Sequence, residues 1–415
     1  MVWYEKPVLE ILPCLATKNK KGHNYMLDTY CNFEFCKKTL QKFIKINTCQ
    51  PAGNESLMVS AILELFPTNT LHTIINHGNN RQTLIIKIPG KQDCGGIAFI
   101  GHTDTVPYGD CISWKYPPLS GTEKNGFIFG RGAVDMKSGD TSMTAAALSL
   151  LKLNEKPREN IYFCFSADEE NRGLGAIALS ELDYLNTVNE FFIAEPSNEM
   201  IGIAEKGALW LNIKSTGVLA HSSRPHKGIN AIEKSIEFKK RLEYYIDTNT
   251  QDKYLGQTTI SITNLKGGVS NNVIPDSSEM TLDIRTLTNI NHQLVIQYAS
   301  ELVELMENEE PGLHIDVSVL NNRPAVSTEE NHPFVHRVEK IYKDLGINSS
   351  KKGLFFYTDA SQLIPKNNKP FLIIGPGNDE MAHQTDECVS IDSIVRMSQF
   401  YLKYLINYYY LEEEL

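Results

Sequence analysis

IYFCFSADEEN, residues 161–171, is an apolar run that ends in three consecutive acidic residues, Asp168, Glu169 and Glu170. The apolar run predicts a buried strand. Acidic residues at the end of a strand are usually a solvated turn, and taken alone these three indicate nothing more. They become a candidate site only if other side chains able to bind a ligand meet them at the same edge of a sheet.

Strands and helices alternate on both sides of this run. TLIIKIPG and GGIAFIGHTDTVP before it and EFFIAEP after it are predicted strands. DTSMTAAALSLLKLNE is a predicted helix with Asp140 or Thr141 as its N-cap, and a further helix is predicted over residues 175–185. This alternation favours an α/β fold with a mostly parallel sheet that is covered by helices on both faces.

The pattern changes from about Lys206, where alternating strands surround two amphipathic helices in the order β-α-β-β-α-β. That order over roughly 110 residues is typical of a small ferredoxin-like α+β domain. We therefore predict a catalytic domain in two parts, residues 26–205 and 321–415, with an inserted domain at 206–320. Residues 1–25 are predicted to be an N-terminal extension.

Composition narrows the classes of protein. The 415 residues include 40 Lys plus Arg and 50 Asp plus Glu, and the resulting charge of −10 argues against nucleic acid or an anionic membrane as the main partner. The eight cysteines include no C-x-x-C pair, which disfavours a structural zinc site or a disulfide framework. Neither a membrane span nor a secretory signal is evident, so we predict a cytoplasmic protein.

His102 and Asp104 stand two residues apart in GHTDT, directly after the apolar run IAFI. If the extended backbone continues, both side chains share a face at the carboxyl end of a strand, where open α/β sheets bind their ligands. A carboxylate at this spacing can orient an imidazole that binds a metal. Alone, the pair is more typical of a surface histidine beside an acidic turn.

Three more motifs place ligand-type residues near strand ends. Asp135 lies in GRGAVDMKSGD before a predicted helix, Glu195 follows a strand in AEPS, and His383 lies in MAHQTDE. The glycines of the first motif lack the third glycine of a nucleotide-binding fingerprint, and its aspartate could instead cap the helix. Histidines and carboxylates without a cysteine suit a catalytic Zn, Mn or Co site better than a closed structural zinc site.

The chain contains, in this order, the motifs GHTDTVP, GRGAVDMKSG, SADEENRGLGA, AEPS, GVLAHSSRPHKGINAI, NNVIPD with LDIRT, and GPGNDEMAHQTDE. Together they resemble family M20 of metallopeptidases and deacylases, within it the group of acetylornithine deacetylase and succinyl-diaminopimelate desuccinylase. The resemblance extends over residues 39–408 and implies two divalent metal ions, Zn or alternatively Co or Mn. The implied ligands are His102, Asp135 and Glu195 for one ion and Asp135, Glu170 and His383 for the other, with Asp135 bridging.

The resemblance also implies the remaining site residues. Glu169 matches the general acid/base, and Asp104 matches the carboxylate that orients His102. In the inserted domain, a lid and dimerisation domain in this family, the matched residues that contact substrate are His221, Asn272 and Arg285. His221 is expected to reach the site of a partner subunit, so the chain is expected to form a homodimer.

The function implied is hydrolysis of an amide in an N-acyl amino acid, with N-succinyl-LL-2,6-diaminopimelate as the first substrate. Acetylornithine deacetylase and a related di- or tripeptidase are the alternatives. Asn171 and Arg172 stand before Gly173 where many relatives have glycine directly after the paired glutamates, which leaves the implied ligands intact. A metal-free binding protein on this fold would be expected to lack a ligand or Glu169, and an oxidoreductase would need the missing glycine fingerprint.

Overall fold

The computed structural model of the chain describes residues 16–18, 24–26 and 30–411. Most of the predicted extension, residues 1–25, lies outside these ranges, and its role stays a prediction. Residues 16–18 and 24–26 pair as two antiparallel strands. Within the described ranges, no helix has the length and apolar character needed to cross a membrane.

The bounds of the elements are given in chain order. The strands are β1 (Ala16–Lys18), β2 (Asn24–Met26), β3 (His72–Gly78), β4 (Arg81–Ile88), β5 (Ile97–His102), β6 (Thr122–Lys124), β7 (Phe127–Phe129), β8 (Ile161–Ser166), β9 (Glu190–Ile193), β10 (Ile201–Glu205), β11 (Gly207–Thr216), β12 (Ala220–His221), β13 (Thr259–Gly267), β14 (Val273–Ile274), β15 (Ser277–Thr286), β16 (His314–Arg323), β17 (Val326–Ser327), β18 (Lys351–Leu354), β19 (Phe371–Ile373) and β20 (Cys388–Ser390). The α-helices are α1 (Phe33–Ile44), α2 (Glu55–Leu63), α3 (Lys137–Leu151), α4 (Leu174–Ser180), α5 (Asp183–Asn186), α6 (Ala231–Tyr245), α7 (His292–Glu309), α8 (Pro333–Leu345), α9 (Ala360–Asn367) and α10 (Ile391–Leu405).

The larger sheet has the strand order β17-β10-β19-β9-β5-β8-β4-β3, and β18 also pairs with β10. Its central strands β8, β5, β9 and β19 run parallel, whereas four neighbouring pairs are antiparallel: β4 with β8, β3 with β4, β10 with β19 and β17 with β10. Helices α1, α3, α8 and α10 contribute to the core on one face, and α4, α5 and α9 contribute to the core on the other. The predicted α/β fold with a mostly parallel central sheet is confirmed.

Burial on both faces explains why β5 and β8 are continuous apolar runs. Every residue of both strands is buried. Alternate side chains of β5 point to opposite faces, so Phe99 packs in one core whereas Ala98 and Ile100 pack in the other. The parallel register aligns His102 with Ser166, so the two strands end side by side. The acidic triplet at 168–170 therefore begins close to His102.

The second sheet lies within residues 207–323 and is entirely antiparallel, in the order β13-β15-β11-β16. Helices α6 and α7 supply Phe238, Leu242 and Val295 to its core. The elements follow the chain as β-α-β-β-α-β, with the first and third strands at the centre of the sheet. This is the predicted ferredoxin-like arrangement, while the domain boundaries at 206 and 320 stay predictions.

Two predicted helix details were wrong. Helix α3 begins at Lys137, before the predicted caps, and the Lys137 N–H donates to the Gly132 carbonyl to close the preceding loop. Asp140 is therefore buried in the first turn of the helix instead of capping it. The helix predicted over residues 175–185 is two short helices, α4 and α5, because Leu182 between them is extended.

Candidate metal centre

Five side chains of the larger sheet and its loops converge at the carboxyl ends of the parallel strands. His102 is the last residue of β5, Glu170 follows β8, and Glu195 follows β9. Asp135 lies two residues before the start of α3, and His383 lies in the loop between β19 and β20. The structure thus brings together the residues that the sequence separates by as many as 281 positions, from His102 to His383.

Asp135 stands between the two histidines. Its Oδ1 lies 3.0 Å from His102 Nε2, and its Oδ2 lies 3.2 Å from His383 Nε2. His102 Nε2 is also 3.3 Å from Glu195 Oε1, and His383 Nε2 is 3.0 Å from Glu170 Oε1. Ligand atoms of His102, Asp135 and Glu170 all lie within 4.8 Å of one another, so they form a candidate metal site.

The cluster concentrates carboxylates in a buried place. Burial raises the pKa of Glu195 and of Glu170, and each is raised further by the charge of Asp135. Burial would also raise the pKa of Asp135, but its hydrogen bonds to His102 and His383 hold it well below its usual value. Positive charge is therefore needed to keep all these carboxylates ionised at the same time. A bound divalent cation would supply that charge.

The turn that carries the paired glutamates is fixed by Asp104. Its carboxylate accepts the backbone N–H of Glu169 at 3.1 Å and that of Glu170 at 3.2 Å. Burial raises the pKa of Glu169 well above its usual value, and Glu169 Oε1 has no hydrogen-bond partner among the described residues. The two glutamates share a backbone anchor, but only the carboxylate of Glu170 reaches His383.

His102 is held on its other ring nitrogen by the residue predicted to orient it. His102 Nδ1 lies 3.0 Å from the backbone carbonyl of Asp104 and 3.7 Å from its carboxylate Oδ1. The carbonyl is thus the nearer acceptor for the Nδ1 proton, which leaves Nε2 free for a ligand. Orientation of His102 by the Asp104 carboxylate stays a prediction.

A buried network that the sequence interpretation missed supports this turn. Arg81 Nη1 lies 2.7 Å from Glu55 and 2.8 Å from Asp168, and Arg81 Nη2 donates to Gln50 Oε1 at 2.8 Å. The Gln50 amide in turn donates to the Asp104 carboxylate at 2.7 Å. The signal was present in the break CQPAGNES between two helical stretches, which contains both Gln50 and Glu55.

The residues predicted to contact substrate lie in the segment of the second sheet. His221 and Asn272 are exposed neighbours, since the N–H of Ser222 donates to the Asn272 carbonyl and His221 Nδ1 lies 2.8 Å from Ser223 Oγ. These contacts stay within their own segment.

Arg285 of β15 lies near the aromatic ring of Tyr357, a residue between β18 and α9. Its Nε is 3.0 Å from Asp283, and its guanidinium lies 5.9 Å from the ring centre of Tyr357. Arg323 lies 4.9 Å from the centre of the same ring, and it donates to the Glu169 carbonyl at 3.4 Å. Tyr357 and Arg323 thus lie between Arg285 and the turn of the paired glutamates. The sequence analysis did not identify Arg323 or Tyr357 as site residues.

Comparison with known proteins identifies the family. Residues 98–407 match the model of peptidase family M20/M25/M40. The chain belongs to this family. It is accordingly a hydrolase of amide bonds, and the resemblance stated from its motifs is confirmed.

This M20 hydrolase is similar to its relatives over most of its length. A Staphylococcus aureus (strain MRSA252) protein named "Probable succinyl-diaminopimelate desuccinylase" is 29% identical over 404 residues, 89% of this chain and 95% of the relative. Succinyl-diaminopimelate desuccinylase of Paracoccus denitrificans (strain Pd 1222) is 29% identical over 336 residues, 77% of this chain and 85% of the relative. The Bacillus subtilis YXEP protein, a dinuclear metal binding peptidase of family M20, shares the fold with a TM-score of 0.68 at 17% identity, covering 90% and 98% of the two chains.

Proposed function

We propose that this M20 hydrolase uses two divalent metal ions to remove the acyl group of an N-acyl amino acid, with N-succinyl-LL-2,6-diaminopimelate as its substrate. The observation that carries the proposal is the position of Asp135, whose two oxygens face two different histidines. The curated relatives bear the desuccinylase name, and the YXEP protein is described as dinuclear.

The side chains present fit two such ions. His102, Asp135 and Glu195 would hold one, and Asp135, Glu170 and His383 would hold the other. Imidazole and carboxylate donors without thiolate suit Zn, with Co or Mn as alternatives. When bound, the ions polarise the amide carbonyl and make a water molecule more acidic.

Glu169 is proposed to move the proton. Its carboxyl group is buried and has a raised pKa, and its Oε1 has no partner in the described part of the chain. It accepts a proton from the attacking water and delivers it to the nitrogen of the leaving amine. The products are a carboxylic acid and a free amine.

Arg285 is proposed to bind a carboxylate of the substrate. Its Nε is engaged by Asp283, and the guanidinium lies beside Tyr357, whose neighbour Arg323 contacts the Glu169 turn. A guanidinium fork pairs with a carboxylate through two parallel hydrogen bonds. Such a subsite favours a succinyl or amino-acid carboxylate over an uncharged amide.

We also propose that the chain is a cytoplasmic homodimer in which His221 of the partner subunit completes the site. His221 is exposed, and its hydrogen bonds with Ser223 lie in its own segment. Strand β13, at one edge of the second sheet, is exposed along nearly its whole length and carries Ile262 and Leu265 at its surface. An edge strand of this kind offers unpaired backbone groups to a second copy.

A substrate panel tests the proposal. The purified protein is loaded in turn with Zn, Co and Mn and assayed on N-succinyl-diaminopimelate, N-acetylornithine and a set of di- and tripeptides, with Glu169→Ala as the inactive control. The desuccinylase proposal predicts the highest kcat/KM on the succinyl substrate. Preference for N-acetylornithine would favour the deacetylase, and preference for peptides would favour the peptidase indicated by the YXEP fold.

A further inference from the structure

Arg131 and Glu387 form a buried ion pair beside the candidate metal centre. Arg131 Nη1 lies 2.6 Å from Glu387 Oε2, and the two side chains are 4% and 0% exposed. Arg131 belongs to the loop before α3, and Glu387 belongs to the segment before β20. The pair therefore joins the loop of Asp135 to the loop of His383.

The Glu387 carboxylate organises the backbone that carries Asp135. Its Oε1 accepts the N–H of Val134 at 2.7 Å and that of Asp135 at 3.0 Å, and its Oε2 accepts the N–H of Gly132 at 3.1 Å. Three backbone N–H groups of one short loop thus donate to a single side chain. Asp135 cannot shift its backbone without breaking a charge-assisted hydrogen bond.

The Arg131 guanidinium organises the backbone that carries His383. Its Nη1 donates to the Gln384 carbonyl and its Nη2 to the carbonyl of His383 itself, both at 3.3 Å. Nη2 also reaches the Pro107 carbonyl at 3.4 Å. Only the planar guanidinium group of an arginine can donate to the Glu387 carboxylate and to these carbonyls at the same time.

We propose that Arg131 and Glu387 are positioning residues that set the affinities of the two metal ions unequally. Glu387 fixes Asp135, which faces both histidines, and so acts on both ions. Arg131 fixes the backbone of His383 and so acts mainly on the ion that His383 holds. The inference rests on the proposed function, because the ligand sets come from it.

Metal affinity, measured apart from catalysis, tests the inference. The metal-free protein is titrated with Zn in competition with a chromophoric chelator, and His383→Ala identifies which of the two binding steps belongs to the His383 ion. Arg131→Lys keeps the charge and can still reach Glu387, but it loses the fork. It should weaken the His383 ion by ~10–100-fold and leave the other ion nearly unchanged, because loss of a residue that orients ligands typically has this effect.

Glu387→Gln should weaken both ions, because it removes the charge that gathers the backbone around Asp135. The matched controls are Arg337→Lys and Glu190→Gln. Arg337 and Glu190 form another ion pair with a buried carboxylate in the same sheet, but Glu190 begins β9 at the end of the strand opposite to the site. These controls should lower the melting temperature and leave both metal affinities unchanged.

Equal weakening of both ions in Arg131→Lys would overturn the inference, as would wild-type affinity in Glu387→Gln or an effect of equal size in the controls. If one variant fails to fold, the other still decides, because each has its own expected pattern. A wild-type protein that binds two ions but hydrolyses no amide would contradict the proposed function and leave the positioning pair standing. Binding of fewer than two ions by the wild type would overturn both.

Discussion

Glu169 and Glu170 are adjacent in the chain but have different surroundings. Glu170 contacts His383 and belongs to the candidate metal centre, whereas Glu169 has a buried carboxyl oxygen with no hydrogen-bond partner among the described residues. Both are anchored through their backbone to Asp104. This geometry favours a division in which one glutamate binds metal and its neighbour transfers protons.

Substitution of each glutamate separates these roles. Glu169→Ala should lower kcat by ~10²–10⁴-fold while bound metal stays near two ions per chain, because only the proton carrier is removed. Glu170→Ala should lose metal together with activity. Turnover and metal content are measured on the same samples, and loss of the same ion from both variants would contradict the division.

The histidines of the metal-free protein should hold protons that a metal displaces. Burial would lower the pKa of His383, but its hydrogen bonds to Asp135 and Glu170, together with their charges, raise it to about 11. The pKa of His102 is likewise raised well above its usual value, by Glu195 and Asp135 against the effect of burial. These raised pKa values favour the protonated imidazoles in the metal-free protein, although only the neutral form binds metal.

Metal binding should consequently release protons, and the apparent affinity should rise with pH up to these raised pKa values. Calorimetric titration with Zn in buffers of different ionisation enthalpy measures the number of protons released. A binding enthalpy that is independent of the buffer would show that the histidines are already neutral.

At the scale of elements, burial explains which parts the sequence predicted. The apolar runs of β5 and β8 were recognisable because helices cover both faces of the parallel sheet, and the edge of that sheet identified His102 and the acidic triplet. The predicted start of α3 was wrong because the prediction relied on the capping preference of Asp140. In the structure the N–H of Lys137 donates to the Gly132 carbonyl, and the helix begins there.

The buried ion pairs that support the site could not be predicted, because their partners are far apart in the sequence. Arg81 meets Asp168 across 87 positions, and Arg131 meets Glu387 across 256 positions. Local propensity carries no signal for such pairs, because they depend on how β4 and the loops around the sheet edge are packed. The motif MAHQTDE did contain Glu387, but only the three-dimensional structure shows its bonds to the loop of Asp135.

Removal of Arg81 should destabilise the turn of the paired glutamates. Arg81→Met leaves the carboxylates of Glu55 and Asp168 buried without their cation, which should cost about 3–5 kcal/mol of unfolding free energy. Denaturant unfolding measures the change. Lys253→Met is the control, because its pair with Glu330 is exposed to solvent and should contribute much less to stability. Equal effects of the two substitutions would contradict a supporting role for Arg81.

For the whole molecule, the proposed role of His221 depends on whether it enters the site of its own chain or that of a partner. Every proposed ligand lies in the larger sheet or its loops, whereas His221 lies in the segment of the second sheet. In one arrangement, the segment of the second sheet approaches the larger sheet of the same chain over the substrate. In the other, the partner's His221 enters the site. The homodimer that the family resemblance implies favours the second arrangement.

A mixing experiment distinguishes the two arrangements. Inactive His221→Ala and inactive Glu169→Ala chains are combined under conditions that allow subunits to exchange. If the partner's His221 completes the site, each heterodimer has one site with both residues intact and should recover activity. Absence of recovery despite demonstrated exchange would place His221 in the site of its own chain.

The most direct test of the account is hydrolysis measured against metal content. Metal-free protein is titrated with Zn, and succinate release from N-succinyl-LL-2,6-diaminopimelate is followed alongside the amount of metal bound. Two ions held on either side of Asp135 predict no turnover without metal and a rise in activity that is complete at two equivalents per chain. Turnover by the metal-free protein, or full activity without any binding of a second ion, would contradict the account.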